Sequence, residues 1–261
     1  MKWTNEAEEM IKRIPFFVRK KVRARVEQEA MARGSQTVTI CDVDAARKRF
    51  MEKMSGEVKG YQLDTCFSQG KCPNMANVSS PLAERIESIL KQEDLRDFLV
   101  KSVGRDIKLH HELKVSISEC PNACSQPQIK DIGIVGACVP QITDTPCTMC
   151  GKCVDTCKDS AITLDENSEA PVIDRSLCLS CGACAKACPS GTIAEGQKGY
   201  RVLLGGKLGR HPRLAKELPG LFDEDGVLEI VKRCIAFYKA NSKNGARFAE
   251  IYTGPECIGM K

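Results

Sequence analysis

Cysteine is the residue type in this sequence with the clearest chemical meaning: there are 16 in 261 residues. Eight of them form two groups with one spacing, C-x2-C-x2-C-x3-C: Cys147, Cys150, Cys153 and Cys157, then Cys178, Cys181, Cys184 and Cys188. Another four are spaced C-x5-C and C-x3-C: Cys66, Cys72, Cys120 and Cys124. Reducing compartments keep thiols free, so this many cysteines indicates metal binding rather than disulfides.

The first two groups belong to an internal repeat with an offset of 31 residues. Its copies are CTMCGKCVDTCKDSAITL (147–164) and CLSCGACAKACPSGTIAE (178–195). The short steps let three thiolates converge on one face of an iron–sulfur cube, while the fourth cysteine reaches the other cube. The spacing therefore predicts two [4Fe–4S] clusters of the bacterial ferredoxin type. One is held by Cys147, Cys150, Cys153 and Cys188, and the other by Cys178, Cys181, Cys184 and Cys157. Paired zinc ribbons, the alternative, seldom use four closely spaced cysteines twice.

The spacing of the third group leaves its role open. Four thiolates from two separate loops can bind zinc, bind a third cluster, or bind no metal. The remaining cysteines are assigned to no metal: Cys41, Cys138, Cys234 and Cys257. Cys234 falls on an apolar helical face and is interpreted as core packing.

The elements that must position these cysteines follow from the apolar pattern. Residues 1–55 are predicted to form three helices, with Thr4 as the cap of the first, Pro15 as first residue of the second, and Asp42 as the cap of the third. Strict alternation over 107–117 predicts a half-buried strand, and 129–136 and 200–206 are further candidates. Helices are expected from Ser80 and over 226–240.

Interleaved strands and helices predict an α/β or α+β sheet domain, which the cysteine repeat interrupts. Three domains are therefore expected. They are a small three-helix domain (1–55), a discontinuous sheet domain (56–140 and 196–261), and a ferredoxin insert (141–195).

Two segments around the third cysteine group, TCFSQGKCPNMA (65–76) and KVSISECPNACSQPQIKDIGIVGA (114–137), resemble the sirohaem-binding half of the sulfite and nitrite reductases. A later segment, GYRVLLGGKLGRHPRLAKEL (199–218), resembles the return to that domain after an inserted ferredoxin, as in the dissimilatory sulfite reductases. The resemblance covers about residues 58–250. It implies an α+β fold with a mixed sheet domain, the 2[4Fe–4S] ferredoxin insert and a small N-terminal helical domain.

The same resemblance implies the chemistry. Cys66, Cys72, Cys120 and Cys124 would hold a third [4Fe–4S] cluster, with the Cys124 thiolate also bridging to the sirohaem iron. The expected reaction is six-electron reduction of a small anion, sulfite or nitrite, fed through the two ferredoxin clusters by an electron donor protein. Sulfite is preferred because the insert resembles that of the dissimilatory sulfite enzymes.

Other site residues are candidates on weaker signals. Lys114 matches a lysine that the family places near the substrate anion, and His110 and His111 are candidate proton donors, with ordinary strand histidines as the alternative. Three basic residues are candidates for the sirohaem carboxylates, with surface charges as the alternative: Lys207, Arg210 and Arg213.

The N-terminal segment WTNEAEEMIKRIPFFVRKKVRARVEQEA (3–30) resembles the small C-terminal helical domain of light-independent protochlorophyllide reductase. It supplies no cluster ligand and implies association with a tetrapyrrole enzyme. Two alternatives to a sirohaem enzyme follow: a non-catalytic electron-transfer iron–sulfur protein, or a tetrapyrrole-handling accessory protein.

Two features depart from the sulfite and nitrite reductases. Full-size members build one active site from two related halves, and only one half is recognisable, so the other is expected from a partner subunit or a second copy in a homo-oligomer. Glu119 also stands where the family commonly has glycine. A carboxylate beside an anionic cluster is unfavourable unless it points away or takes up a proton.

Charge and composition limit the remaining function classes. The net charge of +5 lies wholly in residues 1–60, which hold 14 Lys and Arg against 9 Asp and Glu. Its centre is Arg19, Lys20, Lys21, Arg23 and Arg25, interpreted as a solvated helix face or as a docking surface for an acidic partner or an anionic cofactor.

Aromatic residues at 5% offer little for nucleic acid, and no long apolar run predicts a membrane span. The first residues, MKWTNEAEEM, lack the apolar core of a signal peptide, so a cytoplasmic location is expected. Air-labile clusters favour an anaerobic source.

Overall fold

The structure, a computed structural model, describes residues 1–67, 70–104 and 107–260, without the side chains of 53–55. It divides into two units. Unit 1 is Met1–Val58 with Val103–His110, and unit 2 is Lys59–Ser102 with His111–Lys261. The part of the chain that the structure describes contains no helix long and apolar enough to cross a membrane.

Unit 1 is built from three helices and one short pair of parallel strands. The strands are β1 (Lys2–Trp3) and β2 (Thr37–Val38), and the helices are α1 (Asn5–Lys12), α2 (Phe16–Ala32) and α3 (Ile40–Glu57). Small side chains let the helices approach closely around a core of Ala7, Val26, Ala30, Val38, Val43 and Ala46. Trp3 closes this core, since its indole N–H donates to Glu27 at 2.7 Å and the Arg23 guanidinium lies 4.4 Å from its ring centroid.

Two of the three predicted helix starts differ from those in the structure by one or more residues. The Thr4 cap is confirmed, because its hydroxyl accepts a hydrogen bond from the Ala7 N–H at 3.4 Å. Pro15 is the cap of α2 rather than its first residue. Asp42 was the wrong cap for α3: Thr39 occupies that position, and the Asp42 carboxylate accepts from the Thr39 N–H at 2.8 Å. Asp42 therefore contributes to the cap of α3 from within the first turn of the helix, by accepting from the backbone of the capping residue Thr39.

Unit 2 is organised by a mixed five-stranded sheet. Its strands are β3 (Tyr61–Thr65), β4 (Leu113–Ser118), β5 (Ile132–Ile142), β8 (Ile193–Leu204) and β9 (Lys216–Glu217), in that spatial order, while β6 (Ile162–Asp165) and β7 (Ala170–Ile173) form a separate hairpin. The first three strands run parallel, and β8 is antiparallel to both of its neighbours. The predicted fold class, with a mixed sheet and N-terminal helices, is confirmed.

The helices of the second unit vary greatly in length. They are α4 (Ser80–Gln92), α5 (Leu95–Val103), α6 (Lys152–Thr156), α7 (Ala183–Ala187), α8 (Glu224–Asn241) and α9 (Phe248–Ile251). The Asp223 carboxylate caps α8 by accepting from the Gly226 N–H at 2.8 Å. Cys234 is fully buried on the apolar face of α8, as predicted, together with Val231 and Tyr238.

The strand predicted over 107–117 was wrong in its first half. Residues Leu109–His111 form a 3-10 turn, and β4 begins only at Leu113. The reason is the neighbouring strand, because Leu113 pairs with Tyr61, the first residue of β3. Between the turn and the strand, the buried Glu112 carboxylate accepts from the N–H groups of Lys59 (2.7 Å) and Gly60 (3.1 Å), which fixes this common starting edge.

The cysteine repeat lies in the connection of one long hairpin. Strands β5 and β8 pair from Ile132 opposite Leu204 to Ile142 opposite Ile193, so the two strands extend beyond the rest of the sheet. The chain between them contains α6, β6, β7 and α7. The repeat is therefore attached to the sheet through two adjacent strands.

The sheet is tied to α9 by one buried carboxylate, Asp131, which immediately precedes β5. Its oxygens accept from the N–H groups of Lys114 (2.9 Å) and Ala249 (3.1 Å), and the Arg247 guanidinium lies 3.7 Å away. Burial raises the pKa of Asp131, while Arg247 and the two N–H donors oppose that rise.

We expect Asp131→Asn to lower the free energy of unfolding by about 3 kcal/mol, since one buried N–H loses its acceptor and Arg247 loses its counter-charge. Anaerobic urea denaturation measures this. Asp64→Asn is the matched control, because Asp64 pairs with Lys130 but is 47% exposed, and it should cost less than about 1 kcal/mol. Equal losses in the two variants would contradict the role given to Asp131.

Candidate functional site

Two cavities in the insert are each lined by four cysteines. The first cavity contains Cys147, Cys150, Cys153 and Cys188, and the second contains Cys157, Cys178, Cys181 and Cys184. Including their open mouths they measure about 270 and 320 Å³. The structure thus groups the eight thiols in the two sets that the spacing predicts, with the last cysteine of each repeat in the cavity of the other.

The two repeats share an unusual backbone. Residues with left-handed φ recur at the 31-residue offset: Met149 (52°) and Ser180 (56°), Gly151 (73°) and Gly182 (71°), Ser160 (51°) and Gly191 (78°). For a residue with a Cβ this conformation costs free energy and occurs mostly where the surroundings require it. Gly151 and Gly182 are the N-caps of α6 and α7, which carry the third cysteine of each repeat.

Backbone N–H groups point at several of these sulfurs. The Sγ atoms of Cys147, Cys157 and Cys188 accept from N–H groups at 3.4, 3.3 and 3.4 Å. The backbone N–H of Lys152 is the main cause of a lowered pKa of Cys150. Hydrogen bonds of this kind stabilise the thiolate form, which is the form that binds metal.

The buried thiols behave in the opposite way. Burial, and then the charge of Cys181, raise the pKa of Cys184 to about 11. Burial, partly offset by backbone N–H groups, also raises the pKa of Cys153, and the charges of Cys147 and Cys188 add to the rise. Four thiolates around one cavity repel one another, so they fit a cationic metal core that compensates their charge.

The geometry suits a core of several metal ions. Each cavity has four thiols distributed around the wall of one space. Thiols spread over the wall of a larger cavity are the arrangement that an iron–sulfur cluster uses. The donor set of each cavity therefore fits a [4Fe–4S] cluster.

The third cysteine group is positioned by the parallel part of the sheet. Cys66 directly follows β3, and Cys120 comes two residues after β4. Because Thr65 pairs with Ile117, the two strands end at the same edge and deliver both buried thiols there. The Cys66 sulfur accepts a hydrogen bond from the Glu119 N–H at 3.2 Å.

Cys72 and Cys124 complete this group from the loops that follow. Burial raises the pKa of Cys120, the Asn122 N–H opposes that rise, and the charges of Cys66, Cys72 and Cys124 add to it, so the other three thiols of the set lie within electrostatic reach of Cys120. Cys124 is exposed, unlike Cys66 and Cys120, and its sulfur accepts from the Asn122 amide at 3.0 Å. The set therefore has a buried side and one thiol that faces outward.

Glu119, which directly precedes Cys120, turns its carboxylate into the loop that carries Cys72. Its oxygens accept from the Gly70 N–H at 2.9 Å and from the N–H (3.3 Å) and hydroxyl (3.2 Å) of Ser79. Its carbonyl accepts from the N–H groups of Ala76 and Asn77 at 2.9 and 3.2 Å. The sequence analysis allowed for a carboxylate that points away from the cysteines, but no signal in the sequence gave its partners Gly70 and Ser79.

Lys114 lies on the polar face of β4 with Ser116 and Ser118, six residues before Cys120. At about 3.3 Å per residue its backbone is about 13 Å from that of Ser118, where β4 ends. The Ser116 hydroxyl donates to the Ser125 carbonyl at 2.7 Å, which brings the residue after Cys124 back along this face. Burial lowers the pKa of the Lys114 ammonium, and the charge of Arg247 lowers it further.

His110 and His111 belong to the 3-10 turn that precedes β4, whereas Cys120 follows that strand. The His111 carbonyl accepts from the Tyr238 hydroxyl at 3.2 Å. Their catalytic role stays a prediction.

Of the three basic residues predicted for cofactor carboxylates, two have protein partners. The Arg213 guanidinium donates to the carbonyls of Gly205 (3.1 Å) and Ala249, and the Lys207 ammonium lies 3.6 Å from Glu250. Arg210 is exposed. The Arg213 side chain therefore holds the segment after β8 against the backbone of α9.

The basic N-terminal face borders an apolar cavity that the sequence reasoning did not find. Its lining is Met10, Ile14, Val18, Val22, Val26, Val43, Ala46 and Phe50, with Arg13, Lys21, Arg25 and Arg47. Arg23, by contrast, is paired with Glu8. The signal for this cavity was the four-residue apolar spacing of α2. Val26 and Ala30 of that series form the core, while Val18 and Val22 line the cavity.

These thiol sets define an iron–sulfur protein, and comparison with known proteins gives its family. Residues 61–253 match the family described as "Nitrite and sulphite reductase 4Fe-4S domain". This match covers most of the sequence, so the chain belongs to that family and is a sulfite/nitrite reductase-like iron–sulfur protein. Residues 3–47 match the family described as "Proto-chlorophyllide reductase 57 kD subunit".

Individual relatives agree with both matches. The chain is 32% identical over 197 residues to coenzyme F420-dependent sulfite reductase of Methanocaldococcus jannaschii, covering 76% of this chain and 30% of that protein. It is 36% identical over 134 residues to one subunit of the anaerobic sulfite reductase of Salmonella typhimurium, covering 49% and 39%. Its N-terminal part is 59% identical over 39 residues to one subunit of the light-independent protochlorophyllide reductase of Chlorobium limicola, covering 15% and 7%.

The chain thus spans less than half the length of each of these relatives. Among solved structures, it is similar to the crystal structure of dissimilatory sulfite reductase I, with a TM-score of 0.47 and 14% identity over 78% of this chain and 53% of that one.

We expect Glu119→Gln to loosen the loop over 70–79, because the amide NH2 cannot accept from Gly70 or Ser79 as a carboxylate oxygen does. Amide hydrogen exchange in that loop should rise about ten-fold. Glu112→Gln is the matched control, since Glu112 is also buried and accepts from two backbone N–H groups, but at the other end of β4. Unchanged exchange over 70–79 in Glu119→Gln would contradict this role.

Proposed function

We propose that this chain is an oxidoreductase of the sulfite/nitrite reductase type that holds three [4Fe–4S] clusters and a sirohaem and reduces sulfite, or nitrite, by six electrons. The observation that carries the proposal is the placement of ten cysteines: eight line two cavities of four in the insert, and the buried Cys66 and Cys120 follow parallel strands that end at one edge of the sheet. Cys72 and Cys124 are proposed to complete a third set of four there, since both act electrostatically on Cys120. Relatives named as sulfite reductases support the same class.

The third set has the features that a bridging thiolate requires. Cys66 and Cys120 are buried, while Cys124 is exposed and can contact a second group outside the thiol set. The Asn122 amide donates to the Cys124 sulfur and so stabilises negative charge on it. Sirohaem bound against Cys124 would supply the iron at which the anion is reduced.

The basic residues have separate proposed roles. Lys114 is a half-buried cation whose pKa is lowered by burial, so it gives up a proton more readily than an exposed lysine and attracts an anion in its protonated form. His110 and His111 stay candidates as proton donors. Arg210 is the most available of the three proposed partners for cofactor carboxylates, because Lys207 and Arg213 already have protein partners.

The remaining half of the site is proposed to come from a partner subunit or from a second copy of the chain. An electron donor protein would reduce the insert, and a cytoplasmic location fits oxygen-labile clusters. A non-catalytic electron-transfer protein is the main alternative. A tetrapyrrole-handling accessory protein is favoured by one observation, the N-terminal match together with an apolar cavity bordered by four cationic side chains.

The decisive experiment is anaerobic purification followed by iron analysis, an absorption spectrum and turnover with reduced viologen. We expect roughly twelve irons beyond the haem iron, four in each of three clusters, with a sirohaem spectrum and sulfide formed from sulfite. About eight irons without a tetrapyrrole would replace the proposal with the electron-transfer protein. Sirohaem without turnover of sulfite or nitrite would replace it with the accessory protein.

We expect Cys124→Ser to change the sirohaem spectrum and to abolish turnover, because a hydroxyl is a much weaker donor to iron than a thiolate. Cys41→Ser is the matched control, since Cys41 is exposed on α3 and belongs to none of the three sets. A wild-type spectrum and rate in Cys124→Ser would exclude the proposed bridge.

A further inference from the structure

The insert carries two pseudo-equivalent thiol cavities, and the contacts of the described residues differ between them. The first cavity is lined only by residues between 147 and 193, which all belong to the insert and its return strand. The second cavity also includes Pro140 of β5. The second cavity is therefore the one built against the sheet.

Cys138, which has no assigned role, lies at this junction. Its side chain is fully buried and packs in one cluster with Ala76 and Cys120, next to the third thiol set. Its backbone pairs with Cys181, and its N–H donates to the Ser180 carbonyl at 2.7 Å. One residue thus contacts a cysteine of the third set and the backbone of a cysteine of the second cavity.

Close packing at Gly182 makes this contact specific. A Cβ atom at Gly182 would lie 3.0 Å from the Cys138 Cβ and 3.1 Å from its Sγ, tighter than ordinary van der Waals contact. Gly182 also has a φ of +71°, so a side chain is disfavoured there on conformational grounds too. The loop of the second repeat therefore sits directly on Cys138.

A lysine makes the second contact across the junction. The Lys186 ammonium, on α7 between Cys184 and Cys188, donates to the carbonyl of Met75 and lies 3.4 Å from that of Pro73. Pro73 directly follows Cys72 of the third thiol set. The position 31 residues earlier is Asp155, an exposed residue of opposite charge that lacks the donors needed for such bonds.

We propose that Lys186 is a positioning residue, which together with Cys138 fixes the second cavity against the loop of Cys72 and the side chain of Cys120 and makes it the proximal one of the pair. The repeat supplies two similar cavities, and the lysine at one of two equivalent positions selects which faces the third thiol set. This inference rests on the proposed function, in which the third set is where reduction takes place. It goes beyond that function by assigning an order to the two cavities.

The test compares Lys186→Met with Lys186→Arg and Lys158→Met in anaerobically purified protein. Lys186→Met removes the charge and the donors but keeps most of the length of the side chain. Lys186→Arg keeps both and should restore the wild-type behaviour. Lys158→Met is the control, because it removes the same charge from an exposed residue beside Cys157, a cysteine of the second cavity, without touching the loop.

Two readouts are independent of turnover. Amide hydrogen exchange at Met75, Ala76 and Asn77 should rise about ten-fold in Lys186→Met and stay unchanged in the other two variants. The magnetic interaction between reduced clusters, seen as splitting in the electron paramagnetic resonance spectrum, should weaken only in Lys186→Met, at unchanged iron content.

Wild-type exchange and splitting in Lys186→Met would overturn the inference, as would equal changes in Lys158→Met, which would assign the effect to charge alone. Both readouts need only the iron–sulfur-loaded protein. Absence of sirohaem or of sulfite reduction in the wild type would thus defeat the proposed function while the order of the cavities is still tested.

Discussion

The thiols of Cys66 and Cys120 meet because two neighbouring parallel strands end at the same edge of a sheet. Parallel pairing of β3 with β4 aligns Thr65 with Ile117, so the residues that follow both strands share one location. Glu112 fixes the opposite edge through two backbone N–H groups. The position of the third thiol set at the carboxyl ends of parallel strands depends on this alignment, as ligand sites at such edges generally do.

Negative charge has to be accommodated wherever four thiols gather. Backbone N–H groups at the sulfurs of Cys147, Cys157 and Cys188 stabilise that charge, whereas burial of Cys153 and Cys184 raises their thiol pKa and works against it. Glu119 would add to the problem, but its carboxylate is bonded to Gly70 and Ser79 and holds the loop instead. A residue that looks unfavourable beside a cluster thus serves to shape the loop around it.

The attachment of the insert explains how a duplicated motif acquires two unequal copies. Because β5 and β8 form one long hairpin, the insert leaves the sheet at a fixed place, and Cys138 on β5 pairs with Cys181 of the second repeat. Lys186 adds a polar contact to the same loop. The two cysteine repeats are similar in sequence, but their surroundings differ because the second repeat packs against β5 of the sheet.

The sequence by itself determined what depends on neighbours along the chain: the spacing of the two cysteine repeats, the Thr4 cap, and the apolar face of α8 that buries Cys234. It also indicated the family, through short segments around the third set. It misplaced the start of β4 and the cap of α3, because these are set by pairing with Tyr61 and by the hydrogen bond between Asp42 and Thr39. Only the tertiary structure decided the role of Glu119, the commitment of Arg213 to backbone carbonyls and the position of Cys138. Each of these depends on contacts between segments distant in sequence, and local periodicity carries no record of such contacts.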